Sequence, residues 1–182
     1  MGYRCSWLAV DKKCNDLSDQ LWLLRLELTG ETSENLEFGF NVIETPEWNI
    51  LLADGIEPLE ELDEERAKNQ SDDCDGECLF FFCADSGMCT QLISFKHGEE
   101  IWRVAYDAVN GDGDVIVSGD APELVGEKLG ESKREQAAND GADYLYETTA
   151  KIGQAITEFR HDELLDKSKA PYPVQHTRRK SK

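Results

Sequence analysis

Residues 78–118 read CLFFFCADSGMCTQLISFKHGEEIWRVAYDAVNGDGDVIVS, and this stretch decides the fold. Four runs rich in β-branched and aromatic residues, at 78–84, 88–95, 101–108 and 115–118, are separated by short segments that contain Gly, Asp or Asn. Short polar turns between apolar runs are typical of β-hairpins. The stretch therefore predicts four consecutive antiparallel strands.

Two further strands are predicted nearer the N-terminus. Tyr3 to Val10 alternates and is rich in β-forming residues, with Trp7 on the side expected to be buried. Trp48 to Ala53 is mostly apolar and follows Pro46, which also favours a strand.

Helical spacing of apolar residues appears in other segments. Four leucines between positions 17 and 28 are three or four residues apart and predict a helix that Gly30 ends. The same spacing predicts a helix over 148–159, and a short helix is expected over 121–130. Residues 57–67, EPLEELDEERA, predict an acidic helix that a polar loop follows.

These elements predict an α+β fold, a single domain in which helices pack against a mostly antiparallel sheet. We expect the domain to span residues 1–166. The segment 167–182, KSKAPYPVQHTRRKSK, has two prolines and a basic end but no apolar period, so it predicts a disordered tail.

The charge of the chain is its strongest functional signal. It has 38 acidic and 19 basic side chains, a net charge of −19, and six of the basic ones lie in the tail. Such a field repels nucleic acid and anionic membranes and attracts basic proteins. The longest apolar run, 79–84, is far short of the roughly 20 residues that span a bilayer. With no secretory signal in the first residues, a cytoplasmic protein is expected.

Ten of the acids lie between residues 57 and 77, and they are the candidate partner-binding residues. We expect them to hold a basic protein partner, so that a bacterial immunity or antitoxin-like inhibitor is the leading hypothesis. A merely solvated acidic face is the alternative. The ten are Glu57, Glu60, Glu61, Asp63, Glu64, Glu65, Asp72, Asp73, Asp75 and Glu77.

Catalysis is the less favoured hypothesis, because the chain has no Walker loop, G-x-S-x-G, G-x-G-x-x-G or H-E-x-x-H. Of three histidines, only His161 is a candidate acid or base, flanked by Arg160 and Asp162. An enzyme of unknown class with a site around these three residues is therefore kept as the alternative. The simpler role for them is to complement the negative end of the preceding helix.

The cysteines do not predict a metal site, and no cofactor is expected. Cys78 and Cys83 are an odd number of residues apart on one strand, so they face opposite sides of the sheet. Their spacings with Cys74 and Cys89 also lack the Cys-x-x-Cys pairs of structural zinc sites. Cys83 and Cys89 are symmetric about Ser86, which allows a cross-strand disulfide, although buried free thiols are the more ordinary outcome.

Several short motifs follow one another along the chain. They are Arg4-x-Ser6-Trp7-Leu8-Ala9-Val10, Thr29-Gly30-Glu31, Ile101-Trp102-Arg103-Val104 followed by Asp107, Asp143-Tyr144-Leu145-Tyr146, and Phe159-Arg160-His161-Asp162-Glu163. In this order they resemble a family of small, uncharacterised bacterial cytosolic proteins. The resemblance implies a compact α+β domain and implies no activity.

Overall fold

Nine antiparallel strands form one open sheet in the computed structural model, which describes residues 4–13, 17–33, 39–54, 56–72, 76–109, 113–139, 143–164 and 173–180. Their order across the sheet is β2-β9-β3-β4-β1-β5-β6-β7-β8. The predicted single-domain α+β fold is confirmed. The strands are β1 (Arg4–Asp11), β2 (Leu26–Ser33), β3 (Gly39–Glu44), β4 (Trp48–Asp54), β5 (Cys78–Ala84), β6 (Cys89–Lys96), β7 (Glu99–Asp107), β8 (Val115–Gly119) and β9 (Val174–Arg179).

The meander from β5 to β8 confirms the four strands predicted from residues 78–118. Between β5 and β6 the chain turns through a 3₁₀ segment at Asp85–Gly87, and Met88 takes a left-handed conformation with φ of 44°. Ala84 is therefore the residue paired with Cys89, and the connection has four residues. At the end of β8, Gly119 has a φ of 78°, and a Cβ there would lie 2.2 Å from the Ile101 carbonyl oxygen of β7. Only glycine fits that position.

Helices cover both faces of the sheet, and alternate residues of each strand divide between two cores. On one face, Leu8 and Phe80 pack with residues of α1 and α3; on the other, Trp7 and Phe81 pack with residues of α4 and α5. None of the described helices is long and apolar enough to cross a membrane. The helices are α1 (Leu17–Leu23), α2 (Ile56–Glu61), α3 (Glu64–Asp72), α4 (Glu123–Ala138) and α5 (Thr148–Thr157).

Trp7 is the centre of the α5-side core. Its indole stacks on the ring of Phe81 with centroids 5.1 Å apart and meets the edge of Phe159 at 5.9 Å. Gly153 of α5 lies against the same indole, where a Cβ would be 3.0 Å from the Trp7 Cζ2 atom. The absence of a side chain at Gly153 is what lets α5 approach the sheet this closely.

The helix predicted over residues 17–28 is wrong in its second half. The helix ends at Leu23, and β2 begins at Leu26. Leu24 and Leu28 fit a helical period, but Leu24, Leu26 and Leu28 together also fit the two-residue period of a strand. Pairing with β9 gives Leu26–Ser33 a strand partner, so this segment forms a strand. Gly30, expected to end the helix, lies inside β2 with φ of 81°, beside an irregularity in the pairing.

The predicted acidic helix over 57–67 is two helices, α2 and α3. Asp63 separates them: its Oδ1 atom accepts a hydrogen bond from the Arg66 backbone N–H at 2.8 Å, which caps the first turn of α3. The helix then runs to Asp72, into residues predicted to form a loop. Burial of Ala67 and Ser71 against the sheet accounts for this extension.

The prediction of a disordered tail over 167–182 is wrong for residues 174–179. They form β9, which lies between β2 and β3 and pairs with both. Val174 and His176 are buried there. Alternate burial of these two side chains is a strand pattern that the basic composition and the prolines concealed. The domain therefore extends beyond residue 166.

Candidate functional site

The described acidic residues from 57 to 77 lie in α2, in α3, at Asp63 between the two helices, and at Glu77 directly before β5. Four of them are exposed, and we call this set the acidic face: Glu60, Asp63, Glu65 and Asp72. Glu57 lies in α2, but its side chain lies outside the described structure, as do Asp73 and Asp75. Glu77 is partly buried and accepts a hydrogen bond from the Ser94 hydroxyl at 2.6 Å.

The remaining two acids are neutralised by arginines of the same chain. Glu61 is ion-paired with Arg179 of β9. Glu64 is ion-paired with Arg103 of β7 at 2.5 Å, and Arg103 also binds Glu100 at 2.7 Å. The hydrogen bond from Arg103 holds the pKa of the Glu100 carboxyl below its usual range. The internal pairs therefore leave a smaller acidic surface than the sequence alone predicted.

A pocket of about 170 Å³ lies on the other face of the sheet, beside α5, and residues at both ends of that helix line it. The three residues proposed from sequence for the alternative site, Arg160, His161 and Asp162, all line it. Cys83 and Thr90 contribute the wall from the sheet, and the opposite wall includes Tyr146 and Glu147. The fold thus brings the three predicted residues together with the thiol of Cys83, which was not predicted to lie near them.

Arg160 and Asp162 form a two-point ion pair at the pocket wall. The Arg160 Nε and Nη2 atoms donate to the two oxygens of Asp162 at 2.7 and 2.8 Å, and Glu147 lies 3.6 Å from Nη2. Burial opposes ionisation of Asp162, but the hydrogen bonds from Arg160 outweigh it and leave the pKa of Asp162 below its usual range. The pair therefore stays charged at neutral pH and fixes both side chains.

A cluster of two thiols and an imidazole lies at the pocket, which Cys83 and His161 line and Cys5 does not. The Sγ atom of Cys83 lies 3.3 Å from that of Cys5 and 3.6 Å from His161 Nε2, and all three residues are buried. The cluster follows from the sheet, since Cys5 of β1 is paired directly with Cys83 of β5. The His161 ring lies 4.8 Å from that of Phe81, next to Cys83 on the same face of the sheet.

Electrostatics favour the thiolate form of Cys83. The hydrogen bond with Cys5 is the largest effect; burial acts against it, and His161 adds to it, so that the pKa of Cys83 falls to about 6. At Cys89, by contrast, burial and the charge of Asp107 raise the pKa. Of these two cysteines, the one that lines the pocket is thus the one with the activated thiol.

The cross-strand disulfide considered between Cys83 and Cys89 does not form. The four-residue turn places Cys83 opposite Thr90, not opposite Cys89, and both are free thiols. The predicted separation of Cys78 and Cys83 onto opposite faces is confirmed, because they belong to different cores. No role was predicted for Cys5, because no local pattern in the sequence predicts that β1 pairs with β5.

Tyrosine hydroxyls extend the polar network along the rim. Tyr146 donates a hydrogen bond to Asp85 at 2.6 Å, and Tyr106 donates one to Asp143 at 2.5 Å. Burial and the Asp143 carboxylate raise the pKa of Tyr106 to about 12. Both phenols therefore stay protonated at neutral pH and act as fixed donors.

No protein-family model, curated protein or solved structure matches this chain. The resemblance to a family of small bacterial proteins therefore stays a prediction.

Proposed function

We propose that the protein is a non-catalytic binding protein that holds a basic protein partner on its acidic face, as a bacterial immunity protein or antitoxin does. The observation that supports the proposal most strongly is the exposure of three carboxylates, those of Glu60, Glu65 and Asp72. Their carboxylates are exposed and have no ion pair within the described part of the chain. Only Arg66 and Lys68 oppose them on α3. Exposed carboxylates that lack counter-charges repel one another, and a basic partner relieves this repulsion.

The two internal arginine pairs support the same proposal. Arg103 and Arg179 reach the helices from different strands, and each binds one carboxylate beside the acidic face. Carboxylates on these short helices are therefore held at positions that a guanidinium group can reach. A partner that presents arginine or lysine side chains would use the same chemistry at Glu60 and Glu65.

The net charge of −19 determines how such a partner would arrive. A strong field of one sign accelerates the association of an oppositely charged protein and disfavours others. Because the interacting carboxylates are exposed, salt screens them effectively: the Debye length falls from about 10 Å at 0.1 M to about 3 Å at 1 M. Binding on the acidic face is accordingly expected at low salt and is expected to weaken as salt rises.

A matched pair of triple variants tests the proposal. Glu60→Gln/Glu65→Gln/Asp72→Asn removes three charges from the acidic face, and Asp120→Asn/Glu123→Gln/Glu127→Gln removes three from exposed positions in and before α4. Each variant and the wild type are immobilised, and captured proteins are identified at roughly 0.1 M and 1 M salt. We expect the wild type and the α4 variant to retain a basic protein at low salt, and the acidic-face variant to lose it. Equal retention by both variants would contradict the proposal.

The pocket supports a second candidate function, an enzyme that uses Arg160, His161 and Asp162. The specific observation is that all three line one partly enclosed pocket, with His161 beside an activated thiol. Such an arrangement of base, nucleophile and fixed cation is typical of catalytic sites. A panel of ester, amide and thioester substrates compared between wild type and His161→Ala tests this candidate. Turnover that the substitution abolishes, with capture of a basic partner unchanged, would favour the enzyme over the binding protein.

A further inference from the structure

We propose that Cys83 and Cys5 form a dithiol that reduces small hydroperoxides, with Cys83 as the attacking thiol and Cys5 as the resolving thiol. The activity would be separate from partner binding, since the pocket lies on the opposite face of the sheet from α2 and α3. Two observations support the proposal: the short distance between the two sulfurs, and the access of Cys83, but not Cys5, to the pocket.

The backbone already holds the two cysteines at disulfide distance. They are a direct register pair between neighbouring antiparallel strands. Such pairs have Cα atoms about 4.5 to 5.5 Å apart, within the range of about 4.4 to 6.8 Å that disulfides span. The sulfurs face each other at 3.3 Å. Bond formation then needs a further approach to about 2.0 Å, which side-chain rotation supplies without separating the strands.

The two thiols differ in access. Cys83 lines the pocket, whereas Cys5 is not among the described residues that line it and is fully buried. The pocket volume of about 170 Å³ holds roughly five water molecules at about 30 Å³ each. Hydrogen peroxide fits such a space, and a tripeptide disulfide such as oxidised glutathione does not. The oxidant expected at Cys83 is therefore a small hydroperoxide.

The surroundings of Cys83 favour its thiolate, which is the reactive form of a cysteine. Cys5 and His161 lower the pKa of Cys83 to about 6 in spite of burial. Arg160 lines the same pocket, but its charge is compensated by Asp162 and Glu147. The other titratable groups near the thiol come from the turn after β5, from β6 and from both ends of α5: Asp85, Cys89, Tyr146, Glu147 and Asp162.

The reaction balances without a bound cofactor. The Cys83 thiolate attacks one peroxide oxygen, the O–O bond breaks, and the departing hydroxide takes a proton to leave as water, which makes Cys83 a sulfenic acid. The Cys5 thiol then loses its proton and attacks the Cys83 sulfur; the S–O bond breaks and a second water leaves. Two thiols and one peroxide become one disulfide and two waters. Thiol–disulfide exchange with an added dithiol returns the reduced form.

The test uses the full chain carrying Cys14→Ser and Cys74→Ser, which removes the cysteines outside the described residues. The reduced protein is treated with hydrogen peroxide, and its mass and peptide map are recorded under non-reducing conditions. We expect consumption of about one peroxide per chain, a mass loss of about 2 Da, and one disulfide linking residues 5 and 83.

Single variants distinguish the two thiols. Cys83→Ser is expected to slow peroxide consumption at least about tenfold. Cys5→Ser, whose hydroxyl can still donate a hydrogen bond to the Cys83 sulfur, is expected to keep the first step and accumulate a Cys83 sulfenic acid that dimedone traps. Cys78→Ser is the matched control, because Cys78 is an equally buried thiol on β5 that faces the other core. It is expected to behave like the parent protein.

His161→Gln tests the activation of the thiol. The pH at which the peroxide reaction reaches half its maximal rate is expected to move up from about 6 towards the ordinary cysteine value, with the same disulfide formed at the end. A purely structural role of His161 would not move this pH. Any of three results would overturn the proposal: first oxidation at Cys78 or Cys89, no disulfide between residues 5 and 83, or a tightly bound zinc ion that blocks both thiols in the purified protein.

Discussion

The guanidinium group of Arg179, in β9, is ion-paired with the carboxylate of Glu61, in α2. Arg179 also donates to the Leu24 backbone carbonyl at 3.0 Å and lies over the ring of Phe40 at 5.6 Å. One basic residue of the C-terminal segment thus contacts an acidic helix, the end of α1 and β3 together. The segment neutralises part of the charge on which the proposed function depends.

Arg179→Gln is expected to increase the capture of a basic partner by the acidic face. The substitution frees Glu61 beside the acidic face, so the carboxylate surface grows by one charge. The exposed ion pair contributes less than about 1 kcal/mol, and the loss of the Leu24 hydrogen bond and the Phe40 contact brings the expected cost to about 1 to 2 kcal/mol. Capture is compared with that by Arg178→Gln, which removes the same charge but frees Glu27 on β2. An equal increase in both variants would mean that only the overall charge matters.

Removal of residues 173–182 is expected to destabilise the sheet strongly. In the order β2-β9-β3, β9 is the one strand with which the described part of β2 pairs, so the truncation removes β9, detaches β2 and exposes one edge of β3. Urea unfolding should shift to lower denaturant, and hydrogen exchange should lose protection over Leu26–Ser33. A chain that lacks only residues 181 and 182 is the control and should match the full protein. Unchanged protection of β2 in the truncated chain would contradict the topology.

Gly153→Ala is expected to destabilise the protein by about 1 to 2 kcal/mol, although alanine is the better helix former. The new methyl group would lie 3.0 Å from Trp7, whose indole cannot move away because Phe81 stacks on it. Gly126→Ala in α4 is the matched control, since a Cβ there meets nothing within 4 Å. It should stabilise by about 0.5 to 1 kcal/mol. Both values follow from urea unfolding, and a stabilising Gly153→Ala would show that the Trp7 core has room to adjust.

The contribution of Arg103 to stability is expected to depend on pH. The pKa of Glu100 is lower in the folded protein, so the stabilisation is complete above the unfolded pKa, about 4.3, and is lost as pH falls through the folded value. Arg103→Gln should therefore cost about 1 kcal/mol at pH 7 and progressively less in acid. The comparison is made with Arg66→Gln, an exposed arginine of α3. A cost for Arg103→Gln that does not change with pH would indicate lost packing instead of lost charge.

Local signals were sufficient to predict the meander from β5 to β8 and α5. In these segments apolar runs, turns and helical spacing all agree. They failed at residues 24–28, where the leucines are compatible with either a helical or a strand period. They also failed at 174–179, where a strand of basic composition has its partners in β2 and β3, far earlier in the chain. Long-range pairing of this kind leaves no trace in a short window.

The pocket was predictable only in part, because some of its residues are far apart in the sequence and meet only through strand pairing. Arg160, His161 and Asp162 stood out because they are adjacent and contain the only histidine that the sequence left as a candidate acid or base. Cys5 and Cys83 are 78 residues apart, and their contact depends on β1 lying beside β5. The acidic face was predicted as ten residues, and internal pairing with arginines from β7 and β9 reduced it.

The position of β9 in the sheet also determines when the sheet can be completed during synthesis of the chain. Val174 follows Glu44, the end of β3, by 130 residues, so at roughly 5 to 20 residues per second the ribosome needs about 7 to 26 s to deliver the strand that joins β2 to β3. During that interval β3 presents an unpaired edge, and β2 has no place in the sheet. The nascent chain is therefore most exposed to strand exchange with its neighbours while its last residues are being made.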